Sequence, residues 1–194
     1  RFGNPQMAYA PGMPPRRFPK GQAIRVRAGS RLIFQVHYTP NGFEQEDRSY
    51  VGFKYADPKE VTHEVHGGAA GVMLFRIPPH DPNYRMVAVE QIKRDTVLIG
   101  MNPHMHVRGK AFRYEAEYPD GRKEVLLDVP RYDFNWQLWY NLKEPKLLPK
   151  GTKMICTAYF DNSEGNLSNP DPNKSVTWGE QTWDEMMFGF YSTL

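Results

Sequence analysis

His104 and His106 are the residues of this chain best spaced for metal chemistry. They sit in Met101-Asn102-Pro103-His104-Met105-His106-Val107-Arg108-Gly109, between Thr96-Val97-Leu98-Ile99-Gly100 and Ala111-Phe112-Arg113-Tyr114-Glu115. Both flanks read as strand. Side chains on a strand alternate faces, so His104 and His106 project together and Met105 points away. Two imidazoles on one face, two residues apart, form half of a transition-metal site. The spacing is also common among surface histidines on an edge strand, so it needs a second observation.

The second observation lies near the C-terminus, in Trp178-Gly179-Glu180-Gln181-Thr182-Trp183-Asp184-Glu185-Met186-Met187. Alternation over residues 185–192 predicts a strand with Met186, Phe188 and Phe190 on one face. Met187, Gly189 and Tyr191 take the other. A methionine in a sandwich core is ordinarily packing. A thioether that joins two imidazoles instead suits copper, because thioether favours Cu(I), imidazole accepts both oxidation states, and three ligands leave a position open for oxygen.

These residues need a scaffold, and the composition supplies an all-β one. The chain has 194 residues, 40% hydrophobic and 24% charged, with 17 Pro, 16 Gly and 13% aromatics. That mixture favours many short strands joined by tight turns around a packed core. Alternation predicts strands over residues 23–27, 31–38, 50–55, 71–77, 84–92, 95–106, 112–118, 123–129, 152–160 and 185–192. A hairpin is expected around Pro119-Asp120-Gly121-Arg122, a turn at Pro40-Asn41-Gly42, a long polar loop over 161–174 and an aromatic-rich stretch over 134–142. Residues 1–22 carry five prolines and fit no helix. Some eight antiparallel strands after residue 60 point to a sandwich or jelly roll.

The net charge of +3 comes from scattered basic residues, so no nucleic-acid surface is expected. No apolar run reaches the roughly 18 residues of a membrane helix. The lone Cys156 allows no internal disulfide. The opening Arg1-Phe2-Gly3-Asn4 has neither a start methionine nor a signal peptide, which suggests a processed or fragmentary chain.

His104-Met105-His106 with Arg108-Gly109-Lys110, then Asp184-Glu185-Met186 some eighty residues on, resembles the copper type II, ascorbate-dependent monooxygenases that hydroxylate peptidyl-glycine and dopamine. Leu32-Ile33-Phe34-Gln35-Val36-His37-Tyr38 is similar to a further strand of that family, and Arg17-Phe18-Pro19-Lys20-Gly21 to the segment before it. The resemblance implies two jelly-roll sandwiches. Residues 1–56 would be the last strands of the first, and residues 57–194 the C-terminal one. It implies that His104, His106 and Met186 hold the oxygen-activating copper. His37 would belong to a second, electron-transferring copper whose other ligands lie upstream, in the other half of the same protein or in a partner chain. A small-molecule substrate and a reductant such as ascorbate are the implied partners.

Two departures from the family matter. The cysteine that follows the ligand methionine is Met187 here, and Cys156 stands where its disulfide partner would be, which points to a bacterial relative, secreted or periplasmic. The family's contacts to a substrate carboxylate fall on Asn102, Phe188 and Phe190, so the expected pocket floor is apolar. It suits a neutral or weakly polar substrate. Arg108, an even number of residues from His106, is the nearby cation that could still reach a carboxylate. His63, His66 and His80 are expected to be solvated loop histidines. The competing reading is a non-catalytic jelly-roll module for copper, a glycan or a partner chain, with Trp136, Trp139, Trp178 and Trp183 as an aromatic platform. A cupin-type site would need a later histidine, and none follows His106.

Overall fold

Period-two alternation decides which side of each strand is dry, and it holds through the C-terminal two thirds of the chain. The computed structural model describes residues 8–10, 12–38 and 41–194. Along them run β1 (Gln22–Ala23), β2 (His63–Glu64), β3 (His66–Val72), β4 (Arg76–Ile77), β5 (Tyr84–Gln91), β6 (Thr96–His104), β7 (Gly109–Glu117), β8 (Lys123–Val129), β9 (Tyr140–Leu148), β10 (Lys153–Phe160), β11 (Val176–Thr177) and β12 (Met187–Thr193). No helix occurs among the described residues, so none is long and apolar enough to cross a membrane.

Two compact units divide the chain: Arg17–Glu64, and Val65–Leu194 together with the residues up to 16. The larger unit holds two four-stranded antiparallel sheets, ordered β5-β10-β7-β8 and β3-β12-β6-β9, and the small pair β11-β4. The first sheet turns Met86, Ala88, Phe112, Tyr114, Ala116, Met154, Cys156 and Ala158 into the core. The second answers with Ala70, Leu98, Met101 and Met187. One shared core between two antiparallel sheets is consistent with a β-sandwich. Each fully buried Leu, Met or Phe stabilises such a core by about 1.5–3 kcal/mol.

The sheets are in tight contact at Gly189. A Cβ there would overlap Cys156 Sγ and come within 2.9 Å of Tyr114 Cε1. Cys156 therefore faces Gly189 from the opposite sheet. It is fully buried, and burial pushes its thiol pKa up, as befits a small hydrophobe. Tyr114 spans the core and donates its hydroxyl to the Phe190 carbonyl at 3.1 Å, so burial leaves that phenol satisfied. The β7–β8 hairpin forms as expected. Gly121 takes φ 85°, and Asp120 accepts the Arg122 N–H at 2.9 Å.

Several expectations are corrected. The strand expected over 71–77 is two: β3 starts earlier, at His66, and β4 pairs with β11. The strand expected to run to His106 stops at His104. There the Tyr132 hydroxyl accepts the Met105 N–H at 3.1 Å and donates to the Met105 carbonyl at 2.7 Å, standing in for a ladder neighbour. The aromatic stretch contributes a strand only from Tyr140.

The smaller unit departs furthest. Of the strands expected over 23–27, 31–38 and 50–55, only Ala23 is in one, as part of β1, which pairs in parallel with β2. Alternation marks a segment as suited to a strand, but a strand exists only where a neighbour takes its backbone groups and a second layer covers its apolar face. Here Ile33 is 93% exposed, Phe34 56% and Tyr50 91%. The expected turn at Pro40-Asn41-Gly42 lies partly outside the described residues, and residues 1–7 lie wholly outside them.

Candidate metal centre

β6 carries His104 as its last residue, and β12 begins just after Met186. The two strands are hydrogen-bonded neighbours, with Phe188 opposite His104 and Phe190 opposite Asn102. Met187 and Gly189 turn into the core, so Phe188 and Phe190 share the outer face with His104. Met105 is fully buried, as the alternation requires. His106 lies past the end of β6, yet its ring stays 5.3 Å from that of His104, with the two planes 84° apart.

Glu185 fastens the two motifs together. Its Oε2 accepts the backbone N–H of His106 at 2.8 Å and of Met186 at 3.1 Å, and its Oε1 accepts that of Arg108 at 2.7 Å. The carboxylate is fully buried, and burial raises its pKa to about 7 against the pull of those three donors. Alternation had no means to single out Glu185, because two of its three backbone donors, His106 and Arg108, are far away in sequence.

Each imidazole is oriented through Nδ1. Gln137 Oε1 lies 2.6 Å from His104 Nδ1, while Gln137 Nε2 donates to the Phe134 carbonyl at 2.9 Å. That second bond sets the amide, so Nδ1 of His104 carries the proton and Nε2 the lone pair. His106 Nδ1 lies 3.2 Å from the Asp184 carbonyl, which can only accept, so the same tautomer follows. An oxygen acceptor behind the non-ligating nitrogen is the usual support of a metal-binding histidine. Burial, more than the neighbouring His106, lowers the His104 pKa to about 4 despite the Gln137 bond, so the ring is neutral at pH 7.

Among the described residues no three His, Cys, Asp or Glu side chains gather as metal ligands. Glu185 Oε2 takes the N–H of both His106 and Met186, which sets the Met186 backbone beside that of His106. Two imidazoles with a thioether would suit copper, and they would suit hard cations poorly.

The other expected site residues scatter. His37 is exposed, outside any strand, and its Nε2 lies 3.2 Å from Gln35 Nε2. His63 is exposed in β2 beside the Thr62 hydroxyl, and His80 is exposed at φ 57° near Glu164. His66 is half-buried in β3. Asn102 spends its amide N–H on the Leu138 carbonyl at 2.7 Å. Arg108 is 2% exposed, held by Asn162 Oδ1 and the Trp183 carbonyl, both at 2.8 Å, so it supports the fold and faces no ligand. Of the four tryptophans, Trp136 and Trp183 are largely exposed, and Trp139 lies under the Arg16 guanidinium. No model of a known protein family matches the chain, and no curated protein matches it.

Proposed function

We propose that the chain is the copper-bearing part of a monooxygenase that hydroxylates a C–H bond of a small substrate with O2 and a reductant such as ascorbate. The observation that carries this is the matched pair of imidazoles, 5.3 Å apart, each with Nδ1 against an oxygen acceptor. His104, His106 and Met186 would hold the copper, which supplies oxygen activation when bound. The chain's own part is to orient both rings, to keep that of His104 neutral and to line the approach with Phe188 and Phe190. The resemblance adds that the sandwich is a jelly roll, that His37 serves a second copper with ligands from an upstream half or a partner chain, and that the protein is secreted or periplasmic.

The second reading, a module that binds copper without turnover, draws on His37, around which no ligand group gathers among the described residues. Reconstitution with copper followed by metal analysis and oxygen uptake with ascorbate separates these outcomes. One copper per chain, lost in a His104→Ala, His106→Ala double variant, is expected. Zinc, or no metal, at these residues overturns both readings. Copper without oxygen uptake by the full-length protein leaves the module.

A further inference from the structure

A cavity of about 290 Å³ opens at the far end of β12 from the histidine pair. It lies where β3 and β5, edge strands of the two sheets, come together. Thr193 pairs with His66 there, about 17 Å along β12 from Phe188. His66, Glu90, Ile92, Lys93, Arg94 and Tyr191 are among its lining residues.

Two polar side chains enter this cavity from core-facing positions. The rhythm of β5 turns Met86 and Ala88 into the core and continues to Ile92. Glu90 falls on the same side, half-buried beside the fully buried Met154 of β10. From the other sheet comes Tyr191, on the side of β12 that carries Met187 and Gly189. Its ring lies across Gly68, where a Cβ would overlap both the ring and the hydroxyl oxygen. Burial, and after it the nearby Glu90 carboxylate, raises the Tyr191 phenol above its ordinary pKa. Among the described residues, neither Glu90 nor the Tyr191 hydroxyl has a side-chain hydrogen bond or ion pair. A carboxylate set at a core-facing position without a donor costs stability until something supplies one. Lys93 and Arg94 are exposed at the rim, and neither pairs with Glu90 or with any other described residue.

We propose that this cavity binds a free α-amino acid, with Glu90 taking the ammonium, Lys93 and Arg94 the carboxylate, and Ile92 with the Tyr191 ring the side chain. A simple anion would meet the Glu90 carboxylate, and a simple cation would meet the two positive groups at the rim. A zwitterion satisfies both signs at once. The Tyr191 hydroxyl oxygen is a second acceptor for the ammonium, and charge-assisted bonds of this kind are the strong ones. The volume is at the lower end of small-ligand pockets, roughly 300 Å³, which suits a single amino acid.

The test is calorimetric titration of the protein, with a chelator present, against three ligands. They are leucine, 4-methylpentanoate, which lacks its ammonium, and 3-methylbutylamine, which lacks its carboxylate. Leucine is expected to bind at least about tenfold more tightly than either. Glu90→Gln should erase its advantage over 4-methylpentanoate. A Lys93→Gln, Arg94→Gln double variant should erase its advantage over 3-methylbutylamine. Absence of leucine binding, equal binding of all three ligands, or an advantage that survives these variants overturns the proposal. Lys93 and Arg94 are exposed, so the double variant decides even if Glu90→Gln does not fold.

Discussion

Glu185 holds His106 by its backbone across 79 residues of chain, with the His106 N–H donating to Glu185 Oε2 at 2.8 Å. The same oxygen takes the Met186 N–H, and the other takes that of Arg108. An ionised carboxylate can accept from all three donors, but an amide cannot. Glu185→Gln would set an NH2 group against at least one buried N–H. It is expected to cost roughly 2–4 kcal/mol of stability and to weaken copper binding as well. Urea unfolding that moves by less than about 0.5 kcal/mol would show that the carboxylate is not the fastening.

Met186→Ile separates the ligand from the scaffold. Met186 is half-buried and precedes β12, and a volume-conserving swap costs under about 1.5 kcal/mol. Cu(I) affinity should drop tenfold or more while Cu(II) affinity changes little, because the thioether serves mainly the soft ion. Equal Cu(I) affinity in parent and variant, read by competition with a chelator, refutes the ligand role.

The ring of His104 should titrate near pH 4 in the metal-free protein. The folded state resists protonation because the site is buried, while the unfolded state takes up its proton near the ordinary 6.5. The His104 contribution to stability is therefore complete above pH 6.5 and is lost as pH falls through 4. Ring proton shifts that move around pH 6.5 would contradict the burial argument.

Glycine-extended peptides should be poor substrates. A glycine carboxylate lies one bond from the carbon to be hydroxylated, so its anchor must stand next to the metal ligands. Asn102 there is committed to Leu138, Phe188 and Phe190 are apolar, and Arg108 is buried against Asn162. Arg16 at Ser192 is too far along β12 to serve. Turnover by the full-length, copper-loaded protein within about tenfold of a typical 10 s⁻¹ would show that the pocket has another cation.

Gly189→Ala tests the packing beneath the site. The new methyl would overlap Cys156 Sγ and crowd Tyr114, and overpacking of this kind costs about 1–3 kcal/mol. Adding Cys156→Ala should recover part of the loss, since the two positions touch. A thermal midpoint unchanged by Gly189→Ala would mean that the sheets part more easily than their contact implies.

What could be read from the residues alone was the dry-and-wet rhythm of β5, β6, β7, β8, β10 and β12, and with it the sharing of a face by Phe188 and Phe190 and the inward turn of Met105 and Met187. That rhythm is local: it depends only on alternate side chains pointing to opposite sides of a strand. The same rhythm over residues 31–38 produced no strand, because a ladder needs a neighbour and a covering layer, and neither is a property of the segment itself. Register is likewise decided between strands. Phe188 meets His104 only because β12 pairs with β6 at that offset, and a shift of one residue would turn the phenylalanines into the core. The groups that finish the site come from still further off. Gln137 behind His104 and Glu185 under His106 are recognisable only once distant segments are brought within hydrogen-bonding reach. Residue type and spacing determined which side chains can bind a metal. The tertiary structure decided which of them are oriented, held neutral and given neighbours, because hydrogen bonds and burial act through space without regard to sequence distance.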